Sequence, residues 1–357
     1  MTAAISDASF GTSRVIGRYF GIVSAVPTGL LAAYLFLLIA SGAWTHRPDF
    51  QAGVDALTSA SIGKIVGLLG VILVIALVMH TVQFALVQFL EGYWGGNRVM
   101  RFLRTRRILY HLTRLHEAHA LYERAYDALA VNGQPQVSPA DSVTPEARIY
   151  VAALTDCADA LKVIDTYPDK PENIMPTRLG NLLRRYEDNA GRGYNIKILQ
   201  KATHLALVAP ENHVNYLNDQ RNGLDLAVRL CASGIIASLA TAFLMWPWDV
   251  WLLLAAVPYA LAYISYRGAL VAAGHYGDAL GALVDLNRFR MYEALHLRLP
   301  DNTIAERTQN DLMTQVIENA EIKSERVSIV YEHPITPSAE IQMVPGVAEQ
   351  AKERPSD

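Results

Sequence analysis

Four apolar stretches constrain this chain more than any other feature. They run from about Tyr19 to Ala43, Ile62 to Leu90, Leu230 to Trp246 and Val250 to Tyr266. A bilayer core of about 30 Å is crossed by roughly 20 apolar residues in a helix, which satisfies its backbone amides without water. The last two stretches are shorter and meet at Trp246-Pro247-Trp248-Asp249, an aromatic joint suited to a tight hairpin at a membrane interface. The expected fold class is an all-α membrane protein: four transmembrane helices in two hairpins, with a helical cytosolic region.

Composition agrees. Of the 357 residues, 52% are hydrophobic and 18% charged, and the mean hydropathy is +0.17. A net charge of -3 and a pI near 6.4 lack the basic excess of a nucleic-acid binder, so no nucleic-acid partner is expected. Cys157 lies in a polar helical stretch and Cys231 inside an apolar one, so both read as reduced thiols.

Positive residues near span ends resist translocation and fix orientation. Arg14 and Arg18 precede span one; Arg98, Arg101, Arg104, Arg106 and Arg107 follow span two; Arg229 opens span three and Arg267 closes span four. The opposite ends carry Arg47 and Lys64. This predicts a multi-pass chain in the cell (plasma) membrane with both termini cytosolic. Span one, about 25 residues long, exceeds the roughly 7 to 15 of a signal-peptide core. The expected division is a cytosolic N-terminus (1–18), a first hairpin (19–90), a cytosolic helical region (91–229), a second hairpin (230–266), C-terminal cytosolic helices (267–320) and a disordered tail (321–357).

Gly21, Ala25, Gly29 and Ala33 in span one, and Ser59, Gly63 and Gly67 around the start of span two, recur every fourth residue. That spacing predicts close helix packing on small faces. Polar groups in hydrocarbon are costly, which singles out His80, Gln83 and Gln88 of span two, with Glu91 just past its end. At about 100° per residue they form one stripe toward the cytosolic end. It serves either as a lining for ions or as a packing and headgroup surface. No acidic residue lies mid-span in any of the four stretches, which counts against a coupled transporter.

In the cytosolic region, Ile108, Leu112, Leu115, His119, Tyr122, Tyr126 and Leu129 alternate in fours and threes, an a/d seam. It packs within the chain or against a second copy. His116 and His119 stand three apart, not the four of a helical zinc motif, and no metal is expected. Asn132 to Pro145 reads as an exposed loop; a further helix then buries Ile149, Ala153, Leu154, Leu161 and Ile164, and Tyr167-Pro168 stops it. Thr177 caps the next helix, in the run Pro176, Thr177, Arg178, Leu179, Gly180 and Asn181. After span four, Gly274, Gly277 and Gly281 favour close approach beside a buried stripe of Tyr276, Leu280, Leu283, Met291 and Leu295, with one more helix from about Thr303 to Ala320.

The Pro176 to Asn181 run, the Glu187 to Tyr194 segment, Pro210-Glu211, Tyr276-Gly277 and Asp285 to Phe289 resemble a family of uncharacterised bacterial four-span membrane proteins, over roughly Ile149 to Val316. The resemblance implies topology and brings no activity with it. The chain has no Gly-rich phosphate loop, Gly-x-Ser-x-Gly elbow or Cys/His ligand cluster. No catalytic residue and no cofactor is assigned. The leading expectation is a non-enzymatic scaffold or sensor whose partners are the lipid bilayer, a second copy and a cytosolic protein. A channel or transporter using the stripe is the alternative, and a membrane-bound enzyme the third.

Overall fold

A computed structural model describes residues 13–58, 62–132, 145–318 and 330–333. The described residues are helical, in the order α1 (Ser13–Ala40), α2 (Phe50–Thr58), α3 (Ile62–Glu91), α4 (Arg98–Asn132), α5 (Pro145–Ile164), α6 (Arg178–Asn189), α7 (Ile198–Val208), α8 (Glu211–Met245), α9 (Ala256–Ala294) and α10 (Thr303–Glu318). No strand occurs among them beyond one isolated bridge, Leu297 to Tyr331.

Among the described residues two helices are long and apolar enough to cross a membrane: Glu211–Met245, and Asp249–Ala294 counted with its leading 3-10 turn. In the most apolar stretch of the second, 17% of the residues are buried. The core helix of a soluble protein would be mostly covered; here Val257, Tyr263 and Ile264 stand outward, as do Leu239 and Phe243 on α8. α8 and α9 form a hairpin, α1 lies along α8, and α3 touches both α1 and α8.

The segment after α1 and the turn between α8 and α9, the two stretches expected on the outer side (Trp44 to Ser61 and Trp246 to Asp249), meet at one end of this bundle. The Trp248 indole donates to the Ala43 carbonyl at 3.1 Å, Phe50 packs on Trp251 at 5.4 Å between ring centroids, and Leu38, Ala43 and Met245 form a buried cluster there. Lower in the bundle the Tyr34 and Thr241 hydroxyls are 2.8 Å apart.

The small-residue faces do not pack as expected. A side chain added at Gly29, Gly63 or Gly67 would meet open space, while Ser59 and the side chain of Ala25 lie outside the described residues. The close crossing is at Gly234 of α8, where a Cβ would come within 2.8 Å of the Pro258 carbonyl and 2.9 Å of the Ala262 amide. The Pro258 carbonyl and Ala262 together leave room for nothing larger than hydrogen at position 234.

The predicted seam of α4 is also shifted. α4 packs along its length on α5 through His111, Ala118 and Ala125, seven residues apart, against Ala147, Ala153, Cys157 and Ala160. The predicted seam flanks this line: Ile108, Leu112, Leu115, Tyr122 and Leu129 are half-buried, and His119 and Tyr126 exposed. On α5 the predicted buried face is corrected likewise. Ala153 is buried, whereas Ile149, Leu154 and Leu161 are 53%, 44% and 42% exposed. Alanines let two helices approach closely, and the bulky side chains are then pushed to the flank.

α10 is held to the body by polar contacts. Glu306 accepts from Arg288 Nε at 2.9 Å, Lys201 Nζ donates to the Asn310 carbonyl at 2.9 Å, and Asn310 Nδ2 donates to the Tyr194 carbonyl at 2.9 Å. Lys201 and Asn310 are fully buried. Four residues of the predicted tail, 330–333, are seated on the body, with Glu332 N donating to the His296 carbonyl at 2.8 Å. The rest of the tail and the loop 133–144 lie outside the described residues.

Gly234→Ala is expected to lower the thermal midpoint of the detergent-solubilised protein, by overpacking worth about 1–3 kcal/mol. Gly29→Ala, facing open space, should leave it unchanged or slightly higher. Equal effects at both positions would contradict this crossing.

Candidate functional site

Two groups of residues that stand far apart in the sequence meet where α3 ends. Gly92 closes that helix in the left-handed region, φ +102°, and its amide and that of Tyr93 both return to the Gln88 carbonyl, at 3.0 and 2.9 Å. Glycine suits that conformation. A second requirement is steric, because a Cβ on Gly92 would run into the Pro176 ring.

Five of the six residues of the Pro176 to Asn181 run then have a task. Pro176 covers Gly92. Thr177 caps α6, its hydroxyl oxygen accepting from the Gly180 amide at 3.0 Å, and the same hydroxyl donates to the Glu91 carbonyl at 2.8 Å. Gly180 has no Cβ because one there would overlap that carbonyl. Asn181, 1% exposed, braces the preceding loop: its amide donates to the Met175 and Thr177 carbonyls and its oxygen accepts from the Met175 amide at 2.7 Å. Leu179 is fully buried in the main core, and Arg178 is exposed. The run is a clamp that sets the N-terminus of α6 against the C-terminus of α3, the Thr177 hydroxyl taking a spare amide of the one helix and supplying a donor to a spare carbonyl of the other.

The clamp brings charge with it. Arg184 Nη1 contacts Glu187 Oε2 at 3.4 Å, and its Nη2 donates to the Tyr93 hydroxyl at 2.6 Å. Glu91 lies within the field of Glu187, Arg184 and Arg221. Burial, and then the charge of Glu187, push the Glu91 carboxyl up to about 7, against the pull of the two arginines. Burial also raises Glu187. Two carboxyls, two guanidiniums and a phenol thus share a half-buried site in which one carboxyl exchanges its proton near neutrality. Proton uptake and release is what this arrangement can do.

The site is wired to the α4/α5 hairpin. Arg107 Nε donates to the Pro176 carbonyl at 3.4 Å, and the His111 ring nitrogen Nδ1 meets the Tyr167 hydroxyl at 2.9 Å. Arg185 of α6 reaches the Tyr167 carbonyl at 3.2 Å and pairs with Asp165 just past α5. Burial and the Arg107 charge push His111 down to about 4, so it stays neutral.

Of the predicted stripe, Glu91 is in the site and Gln88, half-buried, lends its backbone; His80 and Gln83 lie on α3, but their side chains fall outside the described set. His116 and His119 are exposed, and no cluster able to hold a metal occurs among the described residues. Glu187 and Arg184 were not singled out by sequence reasoning. Their i, i+3 spacing on a capped helix was the available signal.

Glu91 makes stability depend on pH. Between about 4.5, its ordinary value, and about 7, the folded protein keeps a proton that the unfolded chain has lost. Stability from this group therefore falls as pH rises through that window and levels off above it. His111 acts oppositely below 6.5, losing stability as pH falls toward about 4. The difference between wild type and Glu91→Gln isolates the first effect. The advantage of wild type over the variant should shrink from pH 5 to pH 8 in thermal unfolding, and a constant difference would contradict a raised Glu91.

Comparison with known proteins adds no further constraint: no family model, no curated protein and no solved structure matches the chain.

Proposed function

We propose that this is a multi-pass membrane protein of the plasma membrane that senses proton activity at the cytosolic mouth of its bundle and relays it to a cytosolic helical scaffold. In this reading α1, α3, α8 and α9 are the four spans. The outward-facing apolar side chains on all four support it, among them Leu30, Leu73, Leu77, Phe243 and Ile264. The arginine-rich ends, gathered opposite the tryptophan loops, support cytosolic termini.

The arrangement that carries the sensing role is the joint itself, where the end of a span is clamped by Thr177 beside the Glu187, Arg184 and Tyr93 cluster and burial pushes the Glu91 carboxyl up to about 7. Losing that proton places a negative charge beside Glu187, which loads the Arg184 contact and the clamp. From α6 the load has a physical route through Arg185 to the end of α5. No nucleophile paired with a base is evident at the joint, and the Thr177 hydroxyl is spent on its cap and the Glu91 carbonyl.

Two measurements test the reading. A reporter active only outside the cytosol should be silent when fused at Asp357 or after Val131 and active when inserted at Gln51; activity at Asp357 would contradict four spans with cytosolic ends. Amide exchange in α5 and α6 should change between pH 6 and pH 8 in wild type and not in Glu91→Gln. An identical response in both, or proton flux into liposomes that His80→Ala abolishes, would favour a channel over a sensor.

A further inference from the structure

A cationic cleft lies at the base of the α4/α5 hairpin. Arg107, His111 and Arg114 fall on one side of α4, at i, i+4 and i+7, and Arg178 opens α6 beside them. Arg107 Nε is held by the Pro176 carbonyl at 3.4 Å, and its guanidinium lies 5.0 Å from the Tyr110 ring centre. His111 is fully buried against the Tyr167 hydroxyl, and the full charges that act most on both are those of Arg107, Arg114 and Arg178. None of these three arginines forms an ion pair among the described residues. Gathered at one place they repel one another, and the first turn of α6 adds the positive end of its dipole. A bound anion would balance them.

The cleft stands at the mouth of the bundle. Pro176, which holds Arg107, also covers Gly92 at the end of α3. Arg107, about 14 Å along α4 from its first residue, has therefore not been carried away from that mouth. The charges of Arg178 and Arg107 also reach Tyr266, where the fourth apolar stretch ends. Val99, Leu103 and Tyr110 line α4 beside the arginine side and are exposed. From Gly92 to His116 the chain has no acidic residue.

We propose that the cleft binds the phosphate of an anionic phospholipid of the cytosolic leaflet, with an acyl chain along Val99, Leu103 and Tyr110. The apolar line adjoining the charge favours an amphiphile over a free phosphate. A second copy fits worse, because across a two-fold axis this face would meet its own arginines. The proposal rests on the multi-pass reading above and not on the titration of Glu91.

The test is native mass spectrometry of the full-length protein in detergent, titrated with short-chain phosphatidylglycerol, short-chain phosphatidylcholine or inorganic phosphate. Wild type should retain phosphatidylglycerol in preference to phosphatidylcholine, and inorganic phosphate should not displace it. Arg114→Gln with Arg178→Gln should weaken retention roughly tenfold or more. The thermal midpoint of that variant without lipid should not fall, because each substitution removes a like charge. Arg178→Gln alone, at an exposed position, should show a smaller loss in the same direction. Arg148→Gln, exposed on α5, should bind as wild type does. Glu91→Gln should bind normally too, so that a failed sensor and a failed lipid site are told apart. Equal retention of the two lipids, retention undiminished in the double variant, or a loss matched by Arg148→Gln would overturn the proposal. So would displacement by inorganic phosphate, which would assign the cleft to a soluble anion. A wild type that holds no lipid would overturn it as well, and a dimer lost in the double variant would then give the face to a second copy.

Discussion

Much of this structure depends on one contact, the hydroxyl of Thr177 against the carbonyl of Glu91. A helix that ends at the edge of an apolar bundle leaves carbonyls without partners, and water reaches them poorly there. The chain answers with the N-terminus of another helix, 86 residues further on. For the two ends to come that close, Gly180 must lack a side chain and Gly92 must turn left-handed under Pro176. The joint is stiff because each element of it excludes an alternative. That stiffness gives a charge on Glu91 something to act on.

The rest of the body is arranged around the same joint. α6 buries Leu179 and Leu183 against the lower halves of α8 and α9, which extend well past what a bilayer needs, and Tyr186 lies over Gly277, where any side chain would overlap its ring. Farther down, Arg288 is paired with Glu306 and lies over the rings of Tyr194 and Phe289 at 4.0 and 4.3 Å. A buried ion pair contributes little net stability once desolvation is counted. Its effect here is to fix where α10 sits, together with Lys201 and Asn310. The α4/α5 hairpin, by contrast, touches the body mainly through Arg107, His111 and Tyr167 at its base.

What the sequence revealed follows from how local each signal is. The apolar stretches are periodic over a single helix, so their existence needed no tertiary knowledge. The cap at Thr177 is local too. The meeting of Glu91 with the Pro176 to Asn181 run was hidden, because nothing in either segment names the other. The α4 seam misled for a different reason. Leucines and tyrosines at heptad spacing look like an interface, but the intramolecular contact is made by His111, Ala118 and Ala125 beside them, where small side chains permit a closer approach. The glycine runs of the spans misled likewise: small residues allow contact without requiring it, and the crossing falls at Gly234.

The central claim is that the Glu91 carboxyl exchanges its proton near neutrality because the clamp buries it beside Glu187. Difference infrared spectroscopy of the protein in nanodiscs, stepped in pH, reads this directly from the carboxyl stretch that disappears in Glu91→Gln. The account predicts a midpoint of about 7, and a lower one in Glu187→Gln, where the neighbouring charge is gone. A midpoint at the ordinary carboxylate value near 4.5, unaltered by that substitution, would contradict it.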